Sequence, residues 1–179
     1  MIEWQFKHFE DLNTAELFAL MKLRVDIFVV EQHCPYPELD KHDNAADTVH
    51  LLGMSQGQLA AYARAMPGQT PLDPATTSVD RTGSEPPNKP VVRIGRVVVA
   101  PDFRAQGLGR ILMQEMISYL DTRYPDQQQY LAAQITVQAL YASLGFIPVS
   151  DGYTEDGIPH IDMLRLRSPQ PEATSVSLD

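Results

Sequence analysis

A chain of 179 residues with 44% hydrophobic and 21% charged residues has the composition of one globular domain large enough to bury a core. Its 23 acidic against 14 basic residues leave a formal net charge of −9, which argues against a general nucleic-acid binder and favours cationic or amine partners. The single cysteine, Cys34, excludes an internal disulfide framework. No apolar run approaches the roughly 18 residues of a membrane span, and the opening Met-Ile-Glu-Trp-Gln-Phe-Lys-His is unlike a secretory signal, so a cytoplasmic protein is expected.

Residues 2–7 alternate Ile2, Trp4 and Phe6 with Glu3, Gln5 and Lys7, the period of a half-buried strand. Asn13 with Glu16 has the form of a capping box, which predicts a helix from there to about residue 32 with Leu17, Met21, Val25 and Phe28 on one face. Residues 33–46, with two prolines and scattered charges, read as a loop. Residues 48–54 and 58–65 read as antiparallel strands joined at Ser55-Gln56-Gly57. Residues 67–90 hold six prolines and almost no bulky apolar residue, so a flexible surface insertion is expected there.

Residues 91–100 form the predicted central strand, because Val97, Val98 and Val99 are successive β-branched residues. Pro101 and Asp102 break it, and Arg104-Ala-Gln-Gly107-Leu-Gly109 leads into a helix over 108–123. A strand, a glycine loop and a helix N-terminus form an anion site, with free N–H groups and the positive dipole end aimed at the ligand; here they read as a pyrophosphate cradle. Beyond it, 129–133 is a predicted strand and 135–144 a helix with Gly145 as its cap. Residues 146–149 and 160–166 are expected to close a hairpin around the loop 150–159. Residues 1–167 then make one domain and the polar stretch 168–179 a disordered tail.

The run Val97-Val-Val-Ala-Pro-Asp-Phe-Arg104-Ala-Gln-Gly107-Leu-Gly109-Arg110, followed by Leu140-Tyr141-Ala-Ser-Leu-Gly145-Phe146, resembles the acyl-CoA-dependent N-acetyltransferases of the GNAT superfamily. Leu23-Arg24-Val-Asp-Ile-Phe28-Val-Val-Glu31-Gln32-His-Cys34-Pro35-Tyr36-Pro-Glu38-Leu-Asp40-Lys-His-Asp43 and Glu155-Asp156-Gly157-Ile-Pro159-His160 resemble its ElaA-type branch. The resemblance covers residues 2–166, leaving out the insertion. It implies an α+β, three-layer α/β/α fold: a mixed, mostly antiparallel sheet with a splayed pair of parallel strands and helices on both faces.

The resemblance further implies acetyl-CoA as co-substrate, acetyl transfer to an amine by direct attack through a tetrahedral intermediate, and no metal. The acceptor stays open among a small amine, an amino acid and a peptide amine such as a protein N-terminus, and a monomer or homodimer without nucleic-acid or membrane partners is expected. Backbone groups of Val97, Val98 and Val99 would hold the pantetheine arm, with an N–H near Val98 stabilising the oxyanion. The N–H groups of Ala105, Gln106, Gly107, Leu108, Gly109 and Arg110 would hold the pyrophosphate, with Arg104 and Arg110 adding charge. Gln134 stands where many relatives carry an asparagine on the cofactor. Tyr141 would be the general acid that returns a proton to sulfur.

The strand carries no carboxylate where many relatives place a base. Glu31 and His160 are the catalytic candidates for that role, with Asp43, Asp47, His50 and Glu155 beside them. Cys34 reads as a buried or pocket-wall thiol rather than a nucleophile, and Asp40, His42 and Asp43 as a solvated loop rather than a metal site. Two other readings stay open: a catalytically silent CoA-binding or sensor module, and an acyl-homoserine-lactone synthase-like enzyme, suggested by Arg24, Phe28, Glu38, Asp40 and Asp43.

Overall fold

The computed structural model describes residues 1–69 and 90–166; residues 70–89 of the expected insertion and the expected tail lie outside them. The strands are β1 (Glu3–Lys7), β2 (Val49–Ser55), β3 (Gln58–Gln69), β4 (Val91–Val99), β5 (Gln128–Gln134), β6 (Ile147–Pro148), β7 (Tyr153–Glu155) and β8 (Ile158–Arg165). The α-helices are α1 (Thr14–Arg24), α2 (Leu108–Arg123) and α3 (Gln138–Ala142). The strands form one sheet in the order β1-β2-β3-β4-β5-β8-β6, with β7 paired to β8. All pairs are antiparallel except β4 with β5, so the sheet is mixed as expected.

Alternation along the strands decides which helix each residue meets. Leu51, Ala61, Ala63, Val92 and Ile94 pack under α2 on one face, while Leu52, Tyr62 and Val98 pack under α1 on the other. α1 starts where its capping box predicts: Asn13 Oδ1 accepts from the Glu16 N–H at 2.9 Å, and Glu16 Oε2 accepts from the Asn13 N–H at 3.0 Å. Past Arg24 the helix widens into a π-turn over Val25–Glu31. No helix among the described residues is long and apolar enough to cross a membrane.

Four expectations need correction. β3 runs on through Pro67 and Gly68 to Gln69, with a register shift between Met66 and Gln69 that accommodates the proline. The helix expected over 135–144 is a 3-10 turn (Ile135–Val137) followed by the five residues of α3. The loop expected over 150–159 contains β7, because Asp156 and Gly157 both take positive φ (49° and 81°) and make a two-residue hairpin turn to β8. The loop over 33–46, expected to face water, is tied down by buried charge.

In that loop, Arg24 is fully buried and donates to Glu38 Oε1 at 2.6 Å, the Glu38 carbonyl at 2.8 Å and Asp43 Oδ1 at 2.6 Å. Arg64 of β3 donates to Asp40 and Asp43, and Arg96 of β4 reaches Glu38 Oε1 at 3.0 Å. His50 completes the anchor. Its Nε2 donates to the Asp43 carbonyl at 2.9 Å, an atom that can only accept, so Nδ1 is the acceptor for the Tyr62 hydroxyl at 2.7 Å. Burial lowers its pKa to about 4, so His50 is neutral and takes this one tautomer.

This fixes the sign of an acid response. The unfolded chain protonates His50 near pH 6.5 and the folded chain only near 4, so stability falls as pH drops through that window, by up to about 1.4 kcal/mol per pH unit. Asp40 is held down to about 2, and Asp43 is also held below its ordinary value; although burial opposes this, their arginine partners prevail, so their contributions are lost only at lower pH. Denaturant titrations at pH 7, 5.5 and 4.5 should show this slope, and His50→Gln should flatten it between pH 6.5 and 4.

Candidate functional site

The site begins where β4 leaves β5. Their parallel ladder has three rungs, from Val91 with Gln128 to Arg93 with Tyr130, and then the strands diverge. Just beyond, β4 holds one residue more than β3 can pair: Tyr62 faces Val98 but Arg64 faces Gly95. The extra residue makes a bulge at which Arg96 adopts φ 55°. Its effect is a change of phase. Val97 and Val99 return to the α2 face with Ile94, which an unbroken strand would deny Val97. The three valines thus border an open gap on the β5 side, while Val98 and Val99 pair with Tyr62 and Ala61 of β3 on the other.

From Val99 a 3-10 turn (Pro101–Phe103) leads into the glycine loop. Ala105 takes φ 60° and Gly107 φ 73° just ahead of α2. A left-handed alanine costs of order 1 kcal/mol, and such strain collects at ligand-binding turns. The N–H groups of Arg110 and Ile111 both donate to the Gly107 carbonyl. Those of Gln106, Gly107, Leu108 and Gly109 have no partner among the described residues. They sit at the positive end of α2, which supplies the chemistry of a phosphate cradle. The cleft there has a volume of about 310 Å³ and is lined by Val99, Phe103, Arg104, Gly107, Gly109 and Leu140, among others. A groove of about 300 Å³ between Phe6 and Arg123 has no such loop.

Gly109 tests the fit of a bound phosphate group. A Cβ there would lie 3.8 Å from Val99 Cγ2 and 4.0 Å from Leu140 Cδ2, which is ordinary contact. The protein's own packing therefore does not require glycine, although glycine costs the helix about 1 kcal/mol relative to alanine. Space kept free at that cost suits a ligand that comes close to the backbone.

The charged residues divide. Arg110 is exposed and has no partner among the described residues. Arg104 donates from Nε to the Val99 carbonyl at 3.2 Å and binds Glu31 with both terminal nitrogens, at 2.9 and 3.1 Å. Two expected functional residues thus neutralise each other: both Glu31 oxygens face a guanidinium, which counts against Glu31 as a free base. Asp43 and His50 belong to the buried anchor and are likewise unsuited, while Asp47 and Glu155 are exposed away from any such pairing. Cys34 is buried with Sγ 3.5 Å from the carbonyls of Gln32 and Asp156, a structural position.

His160 is placed differently. Its Nδ1 donates to the Ile158 carbonyl at 2.8 Å, which leaves Nε2 with the lone pair in the neutral ring. It pairs across the ladder with Gln134, whose Nε2 donates to Gln32 Oε1 at 3.1 Å and so ties the end of β5 to the end of the α1 π-turn. Tyr141 is buried under Phe146 in an edge-to-face contact and adjoins Leu140 of the cleft. Its hydroxyl has no partner among the described residues, and burial pushes its pKa up to about 12. A phenol held protonated in this way can give a proton but does not serve as a base.

Sequence reasoning missed Asp162, Tyr153, Tyr130 and Arg93. The Tyr130 and Tyr153 hydroxyls both donate to Asp162 Oδ1 at 2.7 Å. The signal was present in the period of β8, which puts Asp162 on the same face as His160.

The sequence matches the family model described as Acetyltransferase (GNAT) domain over residues 77–166. It is 41% identical over 165 residues to the protein ElaA of Escherichia coli, covering 92% of this chain and 97% of that one. The crystal structure of E. coli ElaA superposes with a TM-score of 0.77 over 93% of this chain and all of that one. A crystal structure of an acyl-CoA N-acyltransferase from Pseudomonas aeruginosa matches with a TM-score of 0.76 at 41% identity, again over 93% of this chain and all of that one. The chain belongs to the GNAT acetyltransferase family and, within it, to the ElaA-like branch. A CoA-dependent acyl-homoserine lactone synthase, BjaI, shares the fold at 21% identity and a TM-score of 0.68, over 93% of this chain and 85% of that one. The Arg24, Glu38, Asp40 and Asp43 pattern that suggested such an enzyme is here part of the buried anchor.

Gly109→Ala separates packing from binding. Thermal unfolding should show stability unchanged or raised by up to about 1 kcal/mol. The stabilisation that acetyl-CoA gives the parent protein should fall by several degrees or vanish; an undiminished shift would mean that nothing approaches Gly109.

Proposed function

We propose that this protein transfers an acetyl group from acetyl-CoA to a primary amine. The observation that carries this reading is the set of unpartnered N–H groups from Gln106 to Gly109, opening onto a cleft bordered by Val99 and by Leu140, the neighbour of Tyr141. In it the pyrophosphate lies on those N–H groups, with Arg110 and, once released from Glu31, Arg104 supplying charge. The pantetheine arm runs along the free edge of Val97, Val98 and Val99 as an added strand would, past Gln134. Acetyl-CoA supplies an activated acyl group, and the chain supplies position and protons.

The amine loses its proton to His160 Nε2, directly or through water, and its lone pair forms the C–N bond at the thioester carbonyl. An N–H near Val98 holds the oxygen as charge develops there. The C–S bond then breaks with its electron pair on sulfur, the Tyr141 hydroxyl gives a proton to that thiolate, and the resulting phenolate takes one from the newly acylated nitrogen, leaving the neutral amide. Tyr141 suits the task because burial keeps it protonated.

The test is thiol release from acetyl-CoA with a panel of primary amines. Tyr141→Phe should lower kcat by about 100-fold or more while KM for acetyl-CoA stays within about twofold; unchanged turnover would remove the acid assignment. Stabilisation by acetyl-CoA without thiol release for any amine would favour a silent CoA-binding module, and no stabilisation by any CoA species would sink both.

A further inference from the structure

The side of the sheet away from the glycine loop carries a carboxylate that no step above uses. Ile161 and Met163 of β8 pack into the α2-side core, so Asp162 projects from the opposite face with His160. Its ladder partner is Ala132, two residues past the Tyr130 rung where β4 and β5 part, which places it along the opened gap. Asp162 is only 5% exposed. Its Oδ1 takes both tyrosine hydroxyls, its N–H donates to Ser150 Oγ at 2.9 Å, and its carbonyl accepts from the Val149 N–H at 2.9 Å.

Oδ2 is different: it has no partner among the described residues. Nor is it sealed in, since the fully enclosed unpartnered side-chain atoms among those residues are Arg64 Nε and Gln129 Oε1. A carboxylate drawn this far out of water with one oxygen left open lacks a donor that the chain does not provide. Burial, and after it the contact with Asp162, holds both phenols firmly protonated, so Oδ1 is permanently served and Oδ2 is the oxygen left for a ligand. A cation stands nearby on the same face. The Arg93 guanidinium lies 5.7 Å from the centre of the Tyr130 ring, is exposed, and has no carboxylate partner among the described residues.

We propose that Asp162 and Arg93 select the acceptor, and that it is an amino acid: its ammonium binds Asp162 Oδ2 and its carboxylate the Arg93 guanidinium. The inference rests on the acetyl-CoA reading above. A purely cationic amine would gain Asp162 but meet the like charge of Arg93, whereas a zwitterion satisfies both. The β4–β5 ladder ends at the Arg93–Tyr130 rung, and the proposal seats the bound amine at that opening, facing the acyl group.

The experiment first measures acetyl-CoA binding by thermal shift, then thiol release with matched pairs: leucine against isoamylamine, and phenylalanine against phenethylamine. At least one amino acid should show a KM about tenfold or more below that of its matched amine. Asp162→Asn keeps an oxygen for both phenols and replaces only Oδ2 with a donor. It should raise acceptor KM about tenfold or more while KM for acetyl-CoA moves less than about twofold. Arg93→Met, an exposed change that keeps the apolar stem over Tyr130, should erase the preference for the amino acid, raising its KM and lowering that of the amine as the like charge is removed. This arm stands even if Asp162→Asn does not fold. Unaltered acceptor KM in Asp162→Asn, a parent preference for the amines, or an intact preference in Arg93→Met overturns the assignment. Acetyl-CoA binding without transfer to any member of the pairs overturns the acceptor assignment alone; no acetyl-CoA binding overturns the acyltransferase reading and this proposal with it.

Discussion

One mismatch in length shapes the site: β4 has a residue more than β3 can pair, immediately after its ladder with β5 has ended. A sheet normally satisfies both edges of an interior strand. Here one edge is given up from Ile94 onward, and the bulge turns the valines so that their side chains still fill the core. The open edge therefore costs backbone pairing without costing hydrophobic burial. Without the bulge Val97 would point to the α1 side and the cradle would lose its floor under α2.

That bulge is held from outside the sheet. Arg96 adopts a left-handed backbone, and its guanidinium bonds Glu38 and lies 5.6 Å from the centre of the Tyr36 ring. Glu38 is in turn fixed by Arg24, and Asp43 by both Arg24 and Arg64. Such clusters gain little net stability over apolar packing, yet removing one member strands the others at a cost of roughly 3–5 kcal/mol. Their contribution is uniqueness: three arginines from α1, β3 and β4 fix one path for the loop over 33–46, whose composition alone would leave it free.

What could be read from the sequence was local. Asn13 and Glu16, the Val97 to Val99 run, Gly107 at a left-handed position and the alternation of Trp4 and Phe6 each signal within a few residues, and each is found where expected. What could not be read was set by long-range contacts. Glu31 looks like any free carboxylate until the fold brings Arg104 to it across 73 positions. His50 reads as a possible base, but its partners Asp43 and Tyr62 are set by the loop and by the neighbouring strand. Asp162 gave the clearest missed signal, because a carboxylate alternating with core residues along a strand is anomalous on its pattern alone. α3 was overestimated. Its apolar pattern continues through residues 135–137, but Ile135 and Val137 are exposed there and the backbone makes a 3-10 turn.

The rim opposite the cradle is sewn together from distant parts of the chain. Gln32 meets Gln134 across 102 positions, and Cys34 meets the carbonyl of Asp156 across 122. Contacts of that span close large loops and form late, after local turns and helices are in place. The glycine loop and α2 are contiguous with β4, and α2 packs on a core that also takes in Leu131, Phe146 and Met163 from later in the chain. The two walls of one cleft therefore differ in the length of chain that closes them: one presents N–H groups of four adjacent residues, Gln106 to Gly109, and the other is joined by contacts more than 100 positions apart.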